Sequence, residues 1–350
     1  MDRVAGGRQI GGVKCFVTGA SGFIGANLVH ELVARGHSVK VLVRPGADLR
    51  GVQNLGLDLE RVDGDLSDPK RLASGMKGCD WAFHVAASYH LWLPDYAPMY
   101  AANVEGTRHL IEAAMTAGCS RVVYTSTVGV LRPPAANDPD PRPVEETAPA
   151  RLEEMTNDYK RSKWLAEEVA RNLVGRGAPV VIVNPSAPVG PRDVKPTPTG
   201  QVLVDFLNRA LPSYLNTGLN WVHVRDVALG HVLAAEKGRV GERYILGHAD
   251  GNWTMKHTLE VLSELTGLPA PRFPVPYAVA LAAAHVSERI SALTGKPPKA
   301  PLAGVRMARY KMWFNPAKAI RELGLPQTPP RQAFEEALEW FRANGCVKAP

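Results

Sequence analysis

Residues 13–25 read Val-Lys-Cys-Phe-Val-Thr-Gly-Ala-Ser-Gly-Phe-Ile-Gly. A short apolar run of β type ends at Thr18, and three glycines then lead into a helical pattern. Glycines in such a turn let a ligand approach the main-chain N–H groups, and the helix N-terminus that follows attracts negative charge. The spacing is G-x-x-G-x-x-G rather than G-x-G-x-x-G. We therefore predict that the pyrophosphate of a dinucleotide binds at Gly19, Gly22, Phe23, Ile24 and Gly25.

The rest of the N-terminal half repeats this alternation of short apolar runs and helical segments. Runs that are apolar throughout suit strands buried on both faces of a parallel sheet, and the helices between them supply the crossovers. Two predicted helices, Ile24 to Arg35 and Gly106 to Ala117, are followed by glycines in the position of a C-cap. The predicted strands are Val13 to Thr18, Val39 to Val43, Trp81 to Val85, Arg121 to Tyr124 and Val180 to Val183. The fold class predicted is α/β, a Rossmann-type doubly wound parallel sheet with a smaller, mostly helical C-terminal lobe.

Two proline-rich regions, 188–200 and 267–276, mark the expected limits of the domains. Proline lacks a backbone donor and restricts the residue before it, so 188–200 is expected to lack regular structure and to face the substrate. The second region is expected to introduce a lobe of helices. The predicted division is a flexible tail at 1–12, a dinucleotide-binding Rossmann domain at 13–190 and about 218–250, and a substrate-binding lobe at about 191–217 and 251–345.

The composition is that of an ordinary protein with a full core. Of 350 residues, 45% are hydrophobic and 21% are charged, and the formal net charge is +7. We take Lys and Arg to be spread along the chain rather than clustered, and we therefore expect anionic small ligands rather than nucleic acid. The four cysteines lie far apart without a Cys-x-x-Cys pair, so we expect neither a metal site nor a disulfide framework, and a reduced cytoplasmic location.

No stretch of the sequence approaches the roughly 20 apolar residues of a membrane span. The most apolar run, Val275 to Ala284, is expected to be a core helix, and a helix that touches a membrane surface or an apolar ligand is the alternative. The first residues lack the apolar core of a signal peptide. The expected partner is a small-molecule substrate, and a homodimer is left open.

Further contacts with the dinucleotide are expected after the third and fourth strands. Asp65 and Leu66 follow the third strand, where a carboxylate can accept a hydrogen bond from the adenine amino group. The alternative is that Asp65 or Ser67 caps the helix that begins near Pro69. Small side chains are needed where a dinucleotide crosses the strand ends, and they occur after the fourth strand at Ala86 and Ala87.

Hydroxyl groups and a Tyr-x-x-x-Lys pair form the candidate catalytic set. Ser126 and Thr127 follow the fifth strand, and Tyr159 and Lys163 lie four residues apart at the start of a helical segment. This spacing puts the phenol and the ammonium on one helix face. An adjacent ammonium is expected to lower the pKa of Tyr159 towards neutral pH. Taken alone, such a pair more often marks a solvated helix face, but together with the glycine loop and the hydroxyl run in this order it indicates a catalytic set.

The ordered motifs together resemble the extended short-chain dehydrogenases and reductases, which include nucleotide-sugar epimerases and dihydroflavonol reductases. They are Thr-Gly-Ala-Ser-Gly-Phe-Ile-Gly, Gly-Asp-Leu, Val-Ala-Ala, Asn-Val-Glu-Gly-Thr, Tyr-Thr-Ser-Thr and Tyr-Lys-Arg-Ser-Lys. More narrowly, the segments 184–200, 216–224 and 241–247 are similar to the hopanoid-associated sugar epimerase group. The resemblance implies an NAD(P)-dependent oxidoreductase that transfers hydride at a secondary alcohol or ketone carbon.

The resemblance also implies roles for individual residues. Tyr159 matches the family's acid/base, and Lys163 matches its partner, which also binds the nicotinamide ribose. Asn103 matches an asparagine near the active site. The catalytic hydroxyl falls on Thr127, where many relatives have serine, and Ser126 is a second candidate. The backbone that flanks the nicotinamide falls at Pro185 and Ser186.

The residues favour some reactions over others. Dehydratases of this family carry an Asp-Glu pair after the strand-end hydroxyl, and Val128 and Gly129 occupy those places here, which speaks against dehydration. An epimerase of nucleotide sugars linked to hopanoid biosynthesis is the first interpretation, with Asn184, Arg192 and Lys195 as substrate contacts, the last two clamping a diphosphate.

Two other interpretations remain. The second is an NADPH-dependent ketone or aldehyde reductase, in which Tyr89, Trp92 and Tyr96 line an apolar pocket. The third is a dinucleotide sensor without catalysis, which the presence of Tyr159 and Lys163 disfavours.

The end of the second strand indicates which cofactor is preferred. Enzymes that select NAD place an acid there to hold the ribose 2′-hydroxyl. Here the strand is followed by Arg44, and the first acid is Asp48. A guanidinium can pair with a 2′-phosphate, so the cofactor expected is NAD(P) with a preference for NADP.

Overall fold

A computed structural model describes residues 12–53, 55, 59–136, 138, 140–148 and 150–347. All but the last residue of the predicted tail at 1–12 lies outside the described residues.

The central element is a seven-stranded sheet in which every neighbouring pair of strands is parallel. Its strands are β1 (Lys14–Thr18), β2 (Ser38–Val43), β3 (Leu59–Asp63), β4 (Trp81–His84), β5 (Arg121–Thr125), β6 (Val180–Pro185) and β10 (Arg243–Leu246). Their order across the sheet is β3-β2-β1-β4-β5-β6-β10. This order reverses between β1 and β4, which is the point where open α/β sheets bind ligands. The predicted doubly wound sheet is confirmed.

Helices cover both faces of this sheet and enclose two apolar cores. One face carries α1 (Phe23–Ala34), α7 (Val224–Lys237) and α11 (Ala317–Leu323). The other carries α2 (Pro69–Met76), α4 (Gly106–Ala117) and α5 (Asp158–Val174). The short α3 (Ala97–Tyr100) runs through a π-helical turn, Ala101–Glu105, directly into α4. Gly36 and Gly118, the predicted C-cap glycines, have φ values of 76° each, in the left-handed region that glycine tolerates.

The second lobe contains strands as well as helices. The strands β7 (Ala187–Val189), β11 (Asn252–Thr254) and β13 (Lys311–Met312) all pair with β9 (Gly218–His223), and β8 (Tyr214–Leu215) pairs with β12 (Pro274–Val275). The helices are α6 (Pro198–Leu207), α8 (Met255–Thr266), α9 (Tyr277–Thr294), α10 (Leu302–Met307) and α12 (Pro330–Ala343). A third apolar core lies among α6, α8 and α12.

The expectation that residues 188–200 lack regular structure is wrong at both ends. Pro188 lies within β7, and Pro198 begins α6. Proline is well tolerated at the first position of a helix, where its missing N–H has no intrahelical acceptor to bond. Thr197 caps α6 by accepting a hydrogen bond from the Gly200 N–H.

The four cysteines are free, and three of them are buried. In the part of the chain that the structure describes, no helix is both long enough and apolar enough to cross a membrane.

Candidate active site

The glycine loop between β1 and α1 forms a cradle that larger residues would fill. Gly19 has a φ of 77°, and a Cβ there would lie 2.6 Å from the Ala86 nitrogen. A Cβ on Gly25 would collide with the Gly19 carbonyl. Gly22 is the N-cap of α1 and provides no side-chain cap, so the first N–H groups of the helix face outward. These features fit the pyrophosphate of a dinucleotide, which Gly19, Gly22 and Gly25 would hold.

Ala86 and Ala87 continue this edge after β4, beside β1. The Ala86 N–H donates to the Thr18 hydroxyl over 3.2 Å, which joins the two strand ends. Thr18 is also hydrogen-bonded to the buried His84, which in turn contacts Thr107. Burial lowers the pKa of His84 to about 3, so this histidine is neutral and serves as a structural link.

Asp65 is exposed after β3, and its Oδ1 accepts the Ser67 N–H over 3.0 Å. The helix cap falls to neither Asp65 nor Ser67, because Asp68 caps α2 by accepting from the Arg71 N–H. Leu66 is buried, and its side chain packs against Gly106. Asp65 therefore keeps a carboxylate at the cofactor edge, and its contact with adenine stays a prediction.

Arg44 is exposed immediately after β2. The first acid beyond it, Asp48, is held by Arg50, with 2.7 Å between Arg50 Nη2 and Asp48 Oδ2. The first acid that follows β2 in the chain is thus already paired with a cation, and Arg44 is the charged residue that directly follows the strand.

Tyr159 and Lys163 lie one turn apart in α5, which Asn157 caps by accepting the Lys160 N–H. The Thr127 side chain lies close enough to the Tyr159 phenol to lower its pKa. Thr127 Oγ1 also accepts the Gly129 N–H over 3.1 Å. The structure thus brings Thr127 and Tyr159 together, as the sequence predicts.

The predicted effect of Lys163 on Tyr159 is not found. Burial raises the pKa of Tyr159 above its usual value, and the contact with Thr127 only partly offsets this. The Lys163 ammonium points to β5 instead: Nζ donates to the Thr125 carbonyl over 2.7 Å and lies 4.6 Å from the centre of the Tyr124 ring. Burial lowers the pKa of Lys163 itself to about 7. The desolvation of Tyr159 therefore outweighs the attraction between its phenolate and the Lys163 ammonium, on which the prediction relied.

Ser126 and Asn184 belong to a buried network around Glu167. Ser126 Oγ donates to Glu167 Oε2 over 2.5 Å, and Asn184 Nδ2 donates to the same oxygen over 3.3 Å. Asn184 Nδ2 also donates to the Thr127 carbonyl over 3.0 Å. Both residues are buried, and Asn184 holds the main chain of Thr127 from the protein interior. Sequence reasoning missed Glu167, although it lies on the helix face of Lys163, one turn further on.

Asn103 lies in the π-helical turn and joins three segments. Its Oδ1 accepts the Ser88 N–H over 2.7 Å, and its Nδ2 donates to the Ser88 carbonyl and to Ser162 Oγ, the latter over 2.9 Å. Turns of this kind are frequent at functional sites. Asn103 therefore fixes the segment after β4 against the catalytic helix. Neither Ser88 nor Ser162 was predicted as a site residue, although Ser162 is the serine of the Tyr-Lys-Arg-Ser-Lys motif.

One aromatic side chain contacts the acid/base, and further aromatic residues follow it in the chain. The Tyr89 ring meets the Tyr159 ring edge-on, with 4.4 Å between centroids, and Tyr89 is 38% exposed. Trp92 is half-buried, and Tyr96 is the N-cap of α3. The Tyr100 hydroxyl donates to Asp158 at the start of α5 over 3.0 Å. The segment 88–100 is thereby fixed beside Tyr159.

Helix α10 lies next to the same segment. Asn157 Nδ2 donates to Met307 Sδ over 3.1 Å, and the Leu91 side chain is in contact range of Gly304. The second lobe thus reaches the N-terminus of the catalytic helix through α10.

Arg192 and Lys195 lie on the cofactor-binding half. Arg192 has a φ of 73°, rare for a non-glycine residue, and its guanidinium donates to Asn27 in α1 over 3.0 Å. Lys195 is exposed, and its charge acts on Asp48. Pro185 ends β6, and the Ser186 N–H donates to the Leu246 carbonyl. Their contacts with bound ligands stay predictions.

The sequence model of the NAD dependent epimerase/dehydratase family matches residues 15–247. The chain is 44% identical over 95% of its length to a Synechocystis sp. protein provisionally assigned as a dihydroflavonol 4-reductase, covering 96% of that protein. It is 34% identical to sterol demethylase protein B of Methylococcus capsulatus, over 95% of this chain and 99% of that one. A nucleoside-diphosphate-sugar epimerase from Pseudomonas aeruginosa superimposes with a TM-score of 0.78 and 26% identity, over 96% of this chain and 99% of that one.

The chain belongs to the NAD dependent epimerase/dehydratase family of extended short-chain dehydrogenases. It is an NAD(P)-dependent enzyme with a Rossmann-type fold.

Proposed function

We propose that this enzyme is an NADPH-dependent reductase that converts the carbonyl of an apolar ketone or aldehyde to an alcohol. The observation that carries the proposal is the surrounding of Tyr159, whose ring meets the Tyr89 ring edge-on with 4.4 Å between centroids. An aromatic surface beside the acid/base suits an apolar carbonyl substrate, whereas a sugar needs polar partners for its hydroxyl groups.

Each residue of the site has a separate role in the proposed reduction. When bound, the nicotinamide cofactor supplies hydride to the carbonyl carbon. Tyr159 donates its phenolic proton to the carbonyl oxygen. Thr127 Oγ1 accepts the Gly129 N–H, so its own proton would serve as a donor, and it would turn from the Tyr159 phenol to the same carbonyl oxygen when substrate is bound. Lys163 secures the end of β5 through the Thr125 carbonyl, and it would also hold the nicotinamide ribose.

The polar contacts around the loop 190–195 also favour a reductase. A nucleotide sugar carries a diphosphate that needs cationic contacts on the substrate side. Of the residues expected to supply them, Arg192 donates to Asn27 on the cofactor half, and the charge of Lys195 acts on Asp48. The Synechocystis relative is assigned as a reductase, which also supports a reductase over a nucleotide-sugar epimerase.

The second candidate is a nucleotide-sugar epimerase linked to hopanoid biosynthesis, the first interpretation from the sequence. It is supported by the family match and by the similarity to the Pseudomonas aeruginosa epimerase. Dehydration has less support, because Val128 and Gly129 form a buried 3-10 turn where an acid and a base are needed. A sensor without catalysis does not account for the contact between Thr127 and Tyr159.

The test compares two assays on the purified full-length enzyme. In one, NADPH oxidation is followed spectroscopically with terpenoid ketones, aromatic ketones and long-chain aldehydes. In the other, UDP-glucose and UDP-galactose are incubated without added reductant, and the sugars are separated. We expect stoichiometric NADPH oxidation in the first assay, absent in Tyr159→Phe. Interconversion of the sugars without net cofactor consumption would establish the epimerase instead, and tight cofactor binding with neither reaction would favour the sensor.

A further inference from the structure

Large apolar side chains are concentrated on the outer surface of one segment of the second lobe. Among the described residues, seven large hydrophobic side chains are exposed, and five of them lie between residues 273 and 293. They are Phe273 (75% exposed), Val279 (58%), Val286 (57%), Ile290 (55%) and Leu293 (87%). Scattered single exposures are ordinary, but a contiguous group of this kind marks an interaction surface.

Four of these side chains lie on a single face of α9. Val279, Val286, Ile290 and Leu293 follow one another at spacings of seven, four and three residues, which places them along one side of a helix. The opposite side of α9 holds Ala284 and Ser291, which are buried, and Ala284 packs with Leu302 and Val305 of α10. The exposed stripe therefore points away from the protein. We call it, together with Phe273, the α9 face.

The α9 face is accompanied by positive charge. Residues 267–311 contain seven Lys and Arg residues and one acid, Glu288, so this segment holds six of the seven net positive charges of the chain. Glu288 is turned inward, where its Oε1 accepts the Leu302 N–H over 3.0 Å. Arg272, Arg289, Lys296 and Lys299 are exposed. The even spread of basic residues assumed from the sequence is therefore wrong for this segment.

We propose that the α9 face is the surface through which the protein docks on a lipid bilayer that contains anionic lipids. An apolar stripe bordered by Lys and Arg is the pattern of helices that lie in the membrane interface, with the side chains in the acyl boundary and the cations at the headgroups. A second copy of the chain fits the face less well, because self-association would bring two strongly positive segments together.

The docking surface adjoins the candidate active site. Helix α9 packs on α10, and α10 contacts both the cap of the catalytic helix, through Met307, and the segment that carries Tyr89, through Gly304. Docking would thus place the site on the membrane side of the molecule, with α9 and α10 between it and the bilayer. Membrane binding itself does not depend on the reaction. Only the further step, that an apolar carbonyl substrate enters from the lipid, rests on the proposed function.

The experiment is sedimentation of the full-length protein with vesicles of phosphatidylcholine, with and without phosphatidylglycerol. We expect binding to the anionic vesicles that weakens with salt. The double variant Ile290→Glu/Leu293→Glu should bind at least about tenfold more weakly. Val240→Glu is the matched control, since Val240 is 43% exposed and lies outside the segment, and it should bind as wild type. Arg289→Gln and Lys296→Gln should each weaken binding about fivefold.

Three outcomes would overturn the proposal. The first is no binding of wild type to anionic vesicles, and the second is binding that is unchanged in both the apolar and the basic variants. The third is a solution dimer that does not bind vesicles and that Ile290→Glu/Leu293→Glu dissociates. Circular dichroism verifies that the variants fold. Their activity towards a water-soluble carbonyl should equal that of wild type. If no carbonyl is reduced yet vesicle binding behaves as expected, the proposed function fails and the docking surface stands.

Discussion

Thr127 and Ser126 are adjacent hydroxyls with different partners, and this difference predicts different mutant phenotypes. Thr127→Val removes the donor to the substrate oxygen and should lower kcat about a hundredfold or more. Ser126→Ala should leave kcat within a few-fold of wild type but destabilise the protein by about 1–3 kcal/mol, because Glu167 loses a buried donor. Steady-state kinetics and urea unfolding check both. Equal loss of kcat in the two variants would contradict the assignment of Thr127.

Lys163 should make stability depend on pH in a definite direction. Its pKa falls from 10.5 to about 7 on folding, so between these values the unfolded chain binds more protons than the folded protein. The free energy of unfolding contributed by Lys163 therefore rises with pH across this window and is constant below it. Urea unfolding of wild type and Lys163→Met at pH about 7 and about 9 measures the effect, since other groups cancel in the difference. A difference that is flat or falls with pH would show that Lys163 is not desolvated.

At the scale of secondary structure elements, sequence rules that depend on neighbouring residues predicted the turns, the helix ends and the placement of helices. The turn from β1 to α1, the glycine that ends α4 and the placement of Tyr159 in a helix all follow from short spacings in the sequence. The small sheet around β9 was not predicted, because its pairings are distant: Val189 pairs with His223, and Lys311 pairs with Gly218. The orientation of Lys163 towards Thr125 could not be predicted from the sequence either, since it depends on how α5 packs on β5.

The carboxyl end of β2 predicts the cofactor preference. Arg44 follows this strand, and Asp48 is neutralised by Arg50. A guanidinium that pairs with the 2′-phosphate favours NADP, so Arg44→Ala should weaken NADP binding about tenfold or more and leave NAD binding nearly unchanged. Arg61→Ala is the control, because Arg61 lies on β3 next to β2 and is also exposed but is paired with Asp63 of the same strand. Titration calorimetry with each cofactor decides the point, and a preference for NADP that survives in Arg44→Ala would remove Arg44 from this role.

At the scale of the whole molecule, the fold is shared with proteins that perform different reactions. The superposition on a nucleoside-diphosphate-sugar epimerase and the identity with a protein assigned as a reductase apply to nearly the full length of both partners. Fold alone therefore does not select the reaction. The reaction must therefore be argued from the side-chain environment at the site, where Tyr159 packs edge-on against Tyr89 and the second lobe contacts the catalytic helix and Leu91 through α10.

Cofactor binding should be visible in the stability of the whole protein independently of catalysis. A ligand that binds only the folded state stabilises it by about 2.7 kcal/mol at a hundredfold excess over Kd, which for a chain of this size raises Tm by at least about 2 °C. We expect NADPH to raise Tm more than NADH at equal concentration. Tyr159→Phe should keep the full shift while losing turnover at least about a hundredfold, because it deletes the transferable proton and leaves the glycine cradle intact. Scanning fluorimetry and steady-state assays on wild type and Tyr159→Phe measure both quantities. Loss of the thermal shift in Tyr159→Phe would mean that the phenol helps to bind the cofactor, and turnover within about tenfold of wild type would remove Tyr159 from its role as the acid.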